Sequence, residues 1–171
     1  LRQRVAFALS QILVASDADG TIAQWEEGAA HYYDIFVNGA FGNFRTVLEQ
    51  VTLSPMMGIY LSSVRNAKAA AGATPDENYA REVMQLFTIG LHELNPDGTL
   101  RLDSNGQPIP TYNQDTIVQT AKVFTGWSYA NSTVNATTNA NLFRGGGANY
   151  ISPMMLWPAY HDDTVKAIVG G

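Results

Sequence analysis

The sequence predicts a mainly α fold: a bundle-like array of about six helices, a small β-hairpin insertion and a long irregular C-terminal segment. Three observations lead there. Apolar residues recur at helical spacing in successive stripes through the first ninety positions and again near Ile117. Helix-start signals precede most of those stripes, and two strong turn signals close together, Asn95-Pro96-Asp97-Gly98 and Asp103-Ser104-Asn105-Gly106, interrupt them.

Leu1, Val5, Leu9, Ile12 and Leu13 predict a mostly buried helix over 1–15, with Arg2 and Arg4 on its wet side. Asp17-Ala18-Asp19-Gly20 breaks it. The spacing fails a calcium loop, because the sixth position from Asp17 is Ile22 rather than glycine and the twelfth is Gly28 rather than glutamate. Thr21 and Gln24 form a capping-box pattern that opens a helix to Asn38, with Trp25, Ala29, Tyr32 and Phe36 on one side. Phe44, Val47, Leu48 and Val51 make the next stripe, with Arg45 and Glu49 spaced as an i,i+4 pair. Ser54-Pro55 then starts a helix bearing Met57, Tyr60, Leu61 and Val64, and an Ala/Gly-rich connector runs from Asn66 to Ala73.

The central helix is expected to begin at Thr74, with Pro75 first and Glu77 completing a capping box, and to stop at Gly90. Tyr79, Ala80, Val83, Leu86 and Phe87 gather on its apolar arc. Residues 94–112 are expected as the β-hairpin insertion, around the alternating Thr99-Leu100-Arg101-Leu102. Thr111 to Gln114 reads as a third capping box, leading to Ile117, Ala121 and Phe124 inward, Gly126 as the stop and Trp127 as an anchor of the chain exit. Residues 128–159, rich in Asn, Thr, Ser and Gly, hold no period, and the apolar run from Ile151 to Pro158 is expected to lie back on the body. A further helix is expected to start near Tyr160.

At 171 residues and 46% hydrophobic content, the chain suits one core, with roughly 70% of its extended-chain surface buried on folding. Net charge is −5, and charged residues are 15% of the chain against about 25% in a typical domain. No basic stripe exists to neutralise phosphates, so nucleic acid is not an expected partner. There is no cysteine, which excludes disulfides and thiolate metal sites. The apolar run from Val5 to Leu9 is far short of the roughly 20 residues of a membrane span. The opening Leu1-Arg2-Gln3-Arg4, already in helical register, and the closing Val169-Gly170-Gly171 read as the ends of an internal piece of a larger protein.

The chemistry-bearing residues concentrate on the polar arc of the central helix: Glu77, Asn78, Arg81, Glu82 and Gln85. The simplest role is a solvated surface with a Glu77–Arg81 ion pair; the alternative is burial against a partner or the remainder of the chain. A third reading places Glu82 and His161 in one cleft, Glu82 as base or metal ligand, His161 as acid/base or ligand oriented by Asp162, and Arg81 holding an anionic group. His31 suits packing, and His92 suits the end of the central helix. No His-x-x-x-His pair, no Gly-x-Ser-x-Gly and no lysine after Gly145-Gly146-Gly147 supports a metal, a serine nucleophile or a phosphate loop, so no metal and no cofactor is expected. Trp25, Tyr32, Tyr33, Phe36, Trp127 and Trp157 fit core packing better than a sugar or peptide groove.

The run Glu77-Asn78-Tyr79-Ala80-Arg81-Glu82, then Leu86 and Gly90, then Phe124-Thr125-Gly126-Trp127, resembles the signature of the bacterial DUF1800 family. Leu1-Arg2-Gln3-Arg4-Val5-Ala6-Phe7 is similar to that family's early helix, and His161-Asp162 with Lys166 to its histidine–aspartate–lysine segment. The resemblance covers nearly the whole chain. It implies an exported protein (periplasmic, cell-surface or extracellular) encoded beside a secreted sulfatase-like protein, which becomes a candidate partner; it brings no settled activity. The expected function is therefore a non-catalytic helical interaction or structural module of a larger exported bacterial protein. The alternative is a hydrolase-like enzyme, metal-assisted or not, built on Glu82 and His161.

Overall fold

The computed structural model describes residues 1–70, 73–131, 135–145 and 147–169. Part of the Ala/Gly-rich connector (71–72), part of the irregular segment (132–134), Gly146 of the glycine run and the terminal Gly170-Gly171 lie outside the described residues.

Seven α-helices occur among the described residues: α1 (Arg2–Ser10), α2 (Glu26–Gly39), α3 (Phe44–Leu53), α4 (Pro55–Tyr60), α5 (Asn78–Gln85), α6 (Gln114–Val123) and α7 (Leu142–Gly145). Two short strands, β1 (Trp127–Ser128) and β2 (Met155–Leu156), pair antiparallel with Trp127 opposite Leu156. The fold class is thus mainly α with small β elements.

The main core gathers Leu13, Tyr32, Phe36, Val51, Met56, Met57 and Tyr79 between α1, α2, α3, α4 and α5. Phe36 is wholly buried, and truncating such a residue to alanine costs about 3–5 kcal/mol. Tyr32 belongs there because its hydroxyl donates to Leu13 O (2.7 Å), so the buried phenol is satisfied. A second small core, Ala136, Phe143 and Trp157, sits under the C-terminal segment, where Phe143 stacks on Tyr160 at 4.1 Å. The segment expected as irregular therefore carries α7, strand β2 and its own packing centre. Met154 N–H donates to Leu53 O (2.7 Å), which lays the apolar run back on the body as expected.

Several boundaries differ from expectation, each for a local reason. α1 ends at Ser10 and is packed on one side only, so Leu1, Phe7 and Ile12 face solvent while Ala6 and Leu13 are buried. Thr21 does not cap: Asp19 Oδ1 accepts from the N–H groups of Thr21 (2.8 Å) and Ile22 (3.2 Å) and starts a 3-10 turn, Ile22–Gln24, before α2. Trp25, at the α2 start, leaves the core side and stacks on Tyr150 at 4.1 Å. Arg45 and Glu49 make none of the ion pairs formed among the described residues. Asn113, not Thr111, caps α6, its Oδ1 accepting from Thr116 N (2.9 Å). No helix starts near Tyr160 beyond a 3-10 turn, Pro158–Tyr160.

The central helix is the largest departure. It begins at Asn78 rather than after Thr74, because the buried Asn66 side chain clamps Asp76 through Asp76 N–H to Asn66 Oδ1 (2.9 Å) and Asn66 Nδ2 to Asp76 O (3.0 Å). That holds the approach out of helical form. Asp76 Oδ1 then accepts from Asn78 N (2.8 Å) in place of the expected capping box. At the far end Leu86 N and Phe87 N both reach Glu82 O, and Ile89 N and Gly90 N both reach Met84 O. This widened last turn swings Phe87 into the core and Leu86 into solvent, against the expectation for Leu86; the α-helix itself ends at Gln85, short of the expected stop, and Gly90 (φ +73°) closes the turn that follows.

The insertion forms the two expected chain reversals, with Gly98 and Gly106 at positive φ. Its three short segments pair in a ring. Arg101 N donates to Glu93 O (2.9 Å), Ile109 N to Arg101 O (3.0 Å) and Glu93 N to Ile109 O (2.9 Å). Between those bonds the close, non-hydrogen-bonded pairs are His92 with Pro110, Leu94 with Leu100 and Leu102 with Pro108.

Candidate functional site

Two polar clusters contain most of the residues singled out by the sequence. The first joins α5 to the start of α6. Arg81 Nη2 lies 3.0 Å from Glu77 Oε2, and the Gln114 amide completes a triangle: its Nε2 donates to Glu77 Oε2 (2.8 Å) and its Oε1 accepts from Arg81 Nη2 (3.5 Å). Both charged side chains are about one-third exposed (38% and 32%), so solvent screens the pair. Asn78 is exposed and Gln85 half-buried. Glu82 is half-buried, and its Oε2 is shut off from solvent with no hydrogen-bond partner. Gln114 is expected from the sequence only as part of a capping box; its position directly after the Asn113 cap, at the first residue of α6, is the available signal.

The second cluster is organised by the end of α6. The wholly buried Thr125 offers two acceptors: its carbonyl meets His161 Nδ1 (2.8 Å), and its hydroxyl accepts from Asp162 N (2.8 Å). Next to it Gly126 (φ +81°) lies so close to the His161 backbone that a Cβ would stand 2.8 Å from His161 Cα and N. Trp157 N–H donates to Gly126 O (2.7 Å), and Arg65 N–H to Trp127 O (2.8 Å). The Phe124-Thr125-Gly126-Trp127 run is therefore a backbone receptor for the C-terminal segment; Trp127 contributes strand β1, while Trp157 is the buried anchor.

Asp162 turns the chain. Its Oδ1 accepts from Thr164 N (3.0 Å) and Thr164 Oγ1 (2.5 Å), and Lys166 Nζ donates to Asp162 O (2.6 Å) and Thr164 O (2.7 Å), 3.7 Å from Asp162 Oδ1. The Thr164 hydroxyl foremost, then its N–H and the Lys166 ammonium, hold the Asp162 carboxyl below the usual carboxylate range, against an opposing push from burial. The Asp162-Asp163-Thr164 spacing, suited to a side-chain-to-backbone turn, was the overlooked signal for Thr164.

No hydrogen bond or ion pair joins Glu82 to His161, and Asp162 binds Thr125 and Thr164 rather than the His161 ring. Among the described residues no three His, Asp or Glu side chains converge as metal ligands, and no helix is long and apolar enough to cross a membrane.

No curated protein and no solved structure matches the chain. One family model, described as a protein of unknown function, DUF1800, matches residues 1–171. Because that match runs from α1 through the α5 polar face to the Thr125 receptor and the Asp162 turn, the chain belongs to the DUF1800 family.

Proposed function

We propose that this chain is a non-catalytic docking module that receives a protein partner on the apolar cap formed by the end of α5 and the ring insertion, within a larger exported bacterial protein. One observation carries the reading. Leu86, Ile89, Leu91, Leu94, Leu100 and Leu102, close together in sequence, are all at least 40% exposed. Soluble surfaces tolerate single exposed leucines, but six exposed aliphatic residues within seventeen positions suit an interaction face. The pairings Leu94–Leu100 and Leu102–Pro108 place those side chains beside one another. The Glu77–Gln114–Arg81 triangle ties α6 to the α5 helix that carries this face, giving the polar arc an architectural role.

A photo-crosslinking residue at Leu100 in the producing bacterium tests this. A discrete adduct with one protein is expected at Leu100, absent from a control at exposed Thr137, and lost in Leu86→Asp and Leu102→Asp variants that keep the wild-type melting temperature. Adducts alike at both positions, or unaffected by the variants, refute the proposal. The exported sulfatase-like protein implied by the family is the first partner to examine.

A second reading is favoured by Glu82 alone. A buried carboxylate oxygen without a partner is a place where a ligand group would sit. In that reading the chain is hydrolase-like, with Glu82 as base and His161 as acid. It requires Glu82→Gln and His161→Ala each to abolish a turnover that the folded chain displays.

A further inference from the structure

A cleft of about 460 Å³ opens between the segment after α4 and the end of α7. Arg65, Lys68 and Arg144 line it, together with Asp76, alanines such as Ala67 and Ala69, and Tyr160. In a chain of net charge −5, three cations against one carboxylate in a single concavity is a local reversal of sign. The carboxylate is occupied, since Asp76 Oδ1 accepts from Asn78 N and the Asp76 backbone is clamped by Asn66. Lys68 and Arg144 take part in none of the ion pairs formed among the described residues.

Arg65 is held in place from two directions. Its guanidinium lies over the Tyr129 ring, 4.9 Å from the centroid, and its N–H donates to Trp127 O. Arg65 (φ +61°) and Ser62 (φ +58°), which also lines the cleft, are the non-glycine residues in the left-handed region among the described residues. Side chains tolerate that conformation where surroundings over-determine it, and such residues cluster at ligand clamps. Tyr160, stacked on Phe143, gives the cleft a fixed aromatic wall, and the alanines give it an apolar floor.

We propose that this cleft binds a small molecule bearing a tetrahedral oxyanion ester, a sulfate or phosphate on an organic group of about monosaccharide size. Cations placed by a rigid backbone suit the charged oxygens, and the volume, within the range of about 300–1,000 Å³ usual for ligand pockets, exceeds what an inorganic ion fills. The proposal is independent of the docking face, because no residue of the apolar cap lines this cleft.

Isothermal titration of the chain with glucose 6-sulfate and with glucose 6-phosphate tests it, with glucose and inorganic sulfate and phosphate as controls. At least one ester is expected to bind, more tightly than its inorganic anion, while glucose does not. Lys68→Gln and Arg144→Gln are each expected to lower affinity about tenfold, the loss of one charge-assisted contact. Added salt lowers affinity further. Lys68→Arg retains binding, and every variant keeps the wild-type melting temperature. The proposal fails if neither ester binds at millimolar concentration, if glucose binds as well as the esters, if the esters bind no better than the inorganic anions, or if a variant carrying both Lys68→Gln and Arg144→Gln binds like wild type.

Discussion

Replacing Gly126 by alanine probes the contact on which the C-terminal segment rests. Two costs arise at this position. A side chain at φ +81° costs roughly 1–2 kcal/mol for the left-handed backbone alone. The new Cβ would also stand 2.8 Å from His161 N, Cα and Cβ, where mostly backbone must move, and overpacking of that kind costs about 1–3 kcal/mol. Together the expected loss is about 3 kcal/mol, which for a chain of this size lowers the melting temperature by roughly 6–12 °C. Gly98→Ala is the internal control, because Gly98 has φ +83° but nothing within 4 Å of its Cβ position, so it carries the backbone cost without the crowding. Urea denaturation of both variants, followed by far-UV circular dichroism, separates the two contributions. If Gly126→Ala costs no more than Gly98→Ala, the close approach of Gly126 to His161 is not a stabilising contact and the receptor role assigned to 124–127 is wrong.

Arg81→Ala is expected to cost only about 0.5 kcal/mol, since its ion pair with Glu77 is screened; a double-mutant cycle with Gln114→Ala in urea should return a coupling of a few tenths of a kcal/mol. The Asp162 carboxyl has a folded pKa below its unfolded value, so its contribution is present above the unfolded value of about 3.9 and is lost as pH falls through the folded one. Melting temperatures between neutral and strongly acid pH should therefore fall less steeply in Asp162→Asn than in wild type. The Tyr79 phenol, buried and bonded to Thr52 Oγ1 at 2.7 Å, is pushed up to about 12 by burial, and Tyr32 is pushed up further. Both stay protonated in the native state while unfolded tyrosines ionise near 10, so stability is undiminished below that pH and declines above it, and ultraviolet titration should show two tyrosines that ionise only on alkaline unfolding. Tyr79→Phe, which leaves Thr52 without that partner, should cost about 1 kcal/mol in urea denaturation.

The helical class was legible because periodicity reports the face that a helix buries, and Tyr32, Phe36, Val47, Val51 and Tyr79 bury as their spacing requires. Helix starts were less legible, since a capping pattern is local and a distant side chain can override it. Asn66 does so at Asp76, and Asp19 takes the role expected of Thr21. The position of Leu86 turned on a widened final turn that no spacing rule registers. For the polar residues, Glu77 with Arg81 followed from i,i+4 geometry, whereas Gln114, Thr125 and Thr164 depend on contacts across the fold or on a side-chain turn. The cleft between Arg65, Lys68 and Arg144 was invisible in the sequence for the same reason: its cations come from segments nearly eighty positions apart.

At the level of Glu93, Arg101 and Ile109, every main-chain amide and carbonyl of the insertion already has a mate inside the triangle. An incoming polypeptide consequently finds no vacant main-chain group at those three positions, and at that level side-chain surfaces carry recognition. The same closure leaves no open strand edge at that level, beside an oily knob of exposed leucines.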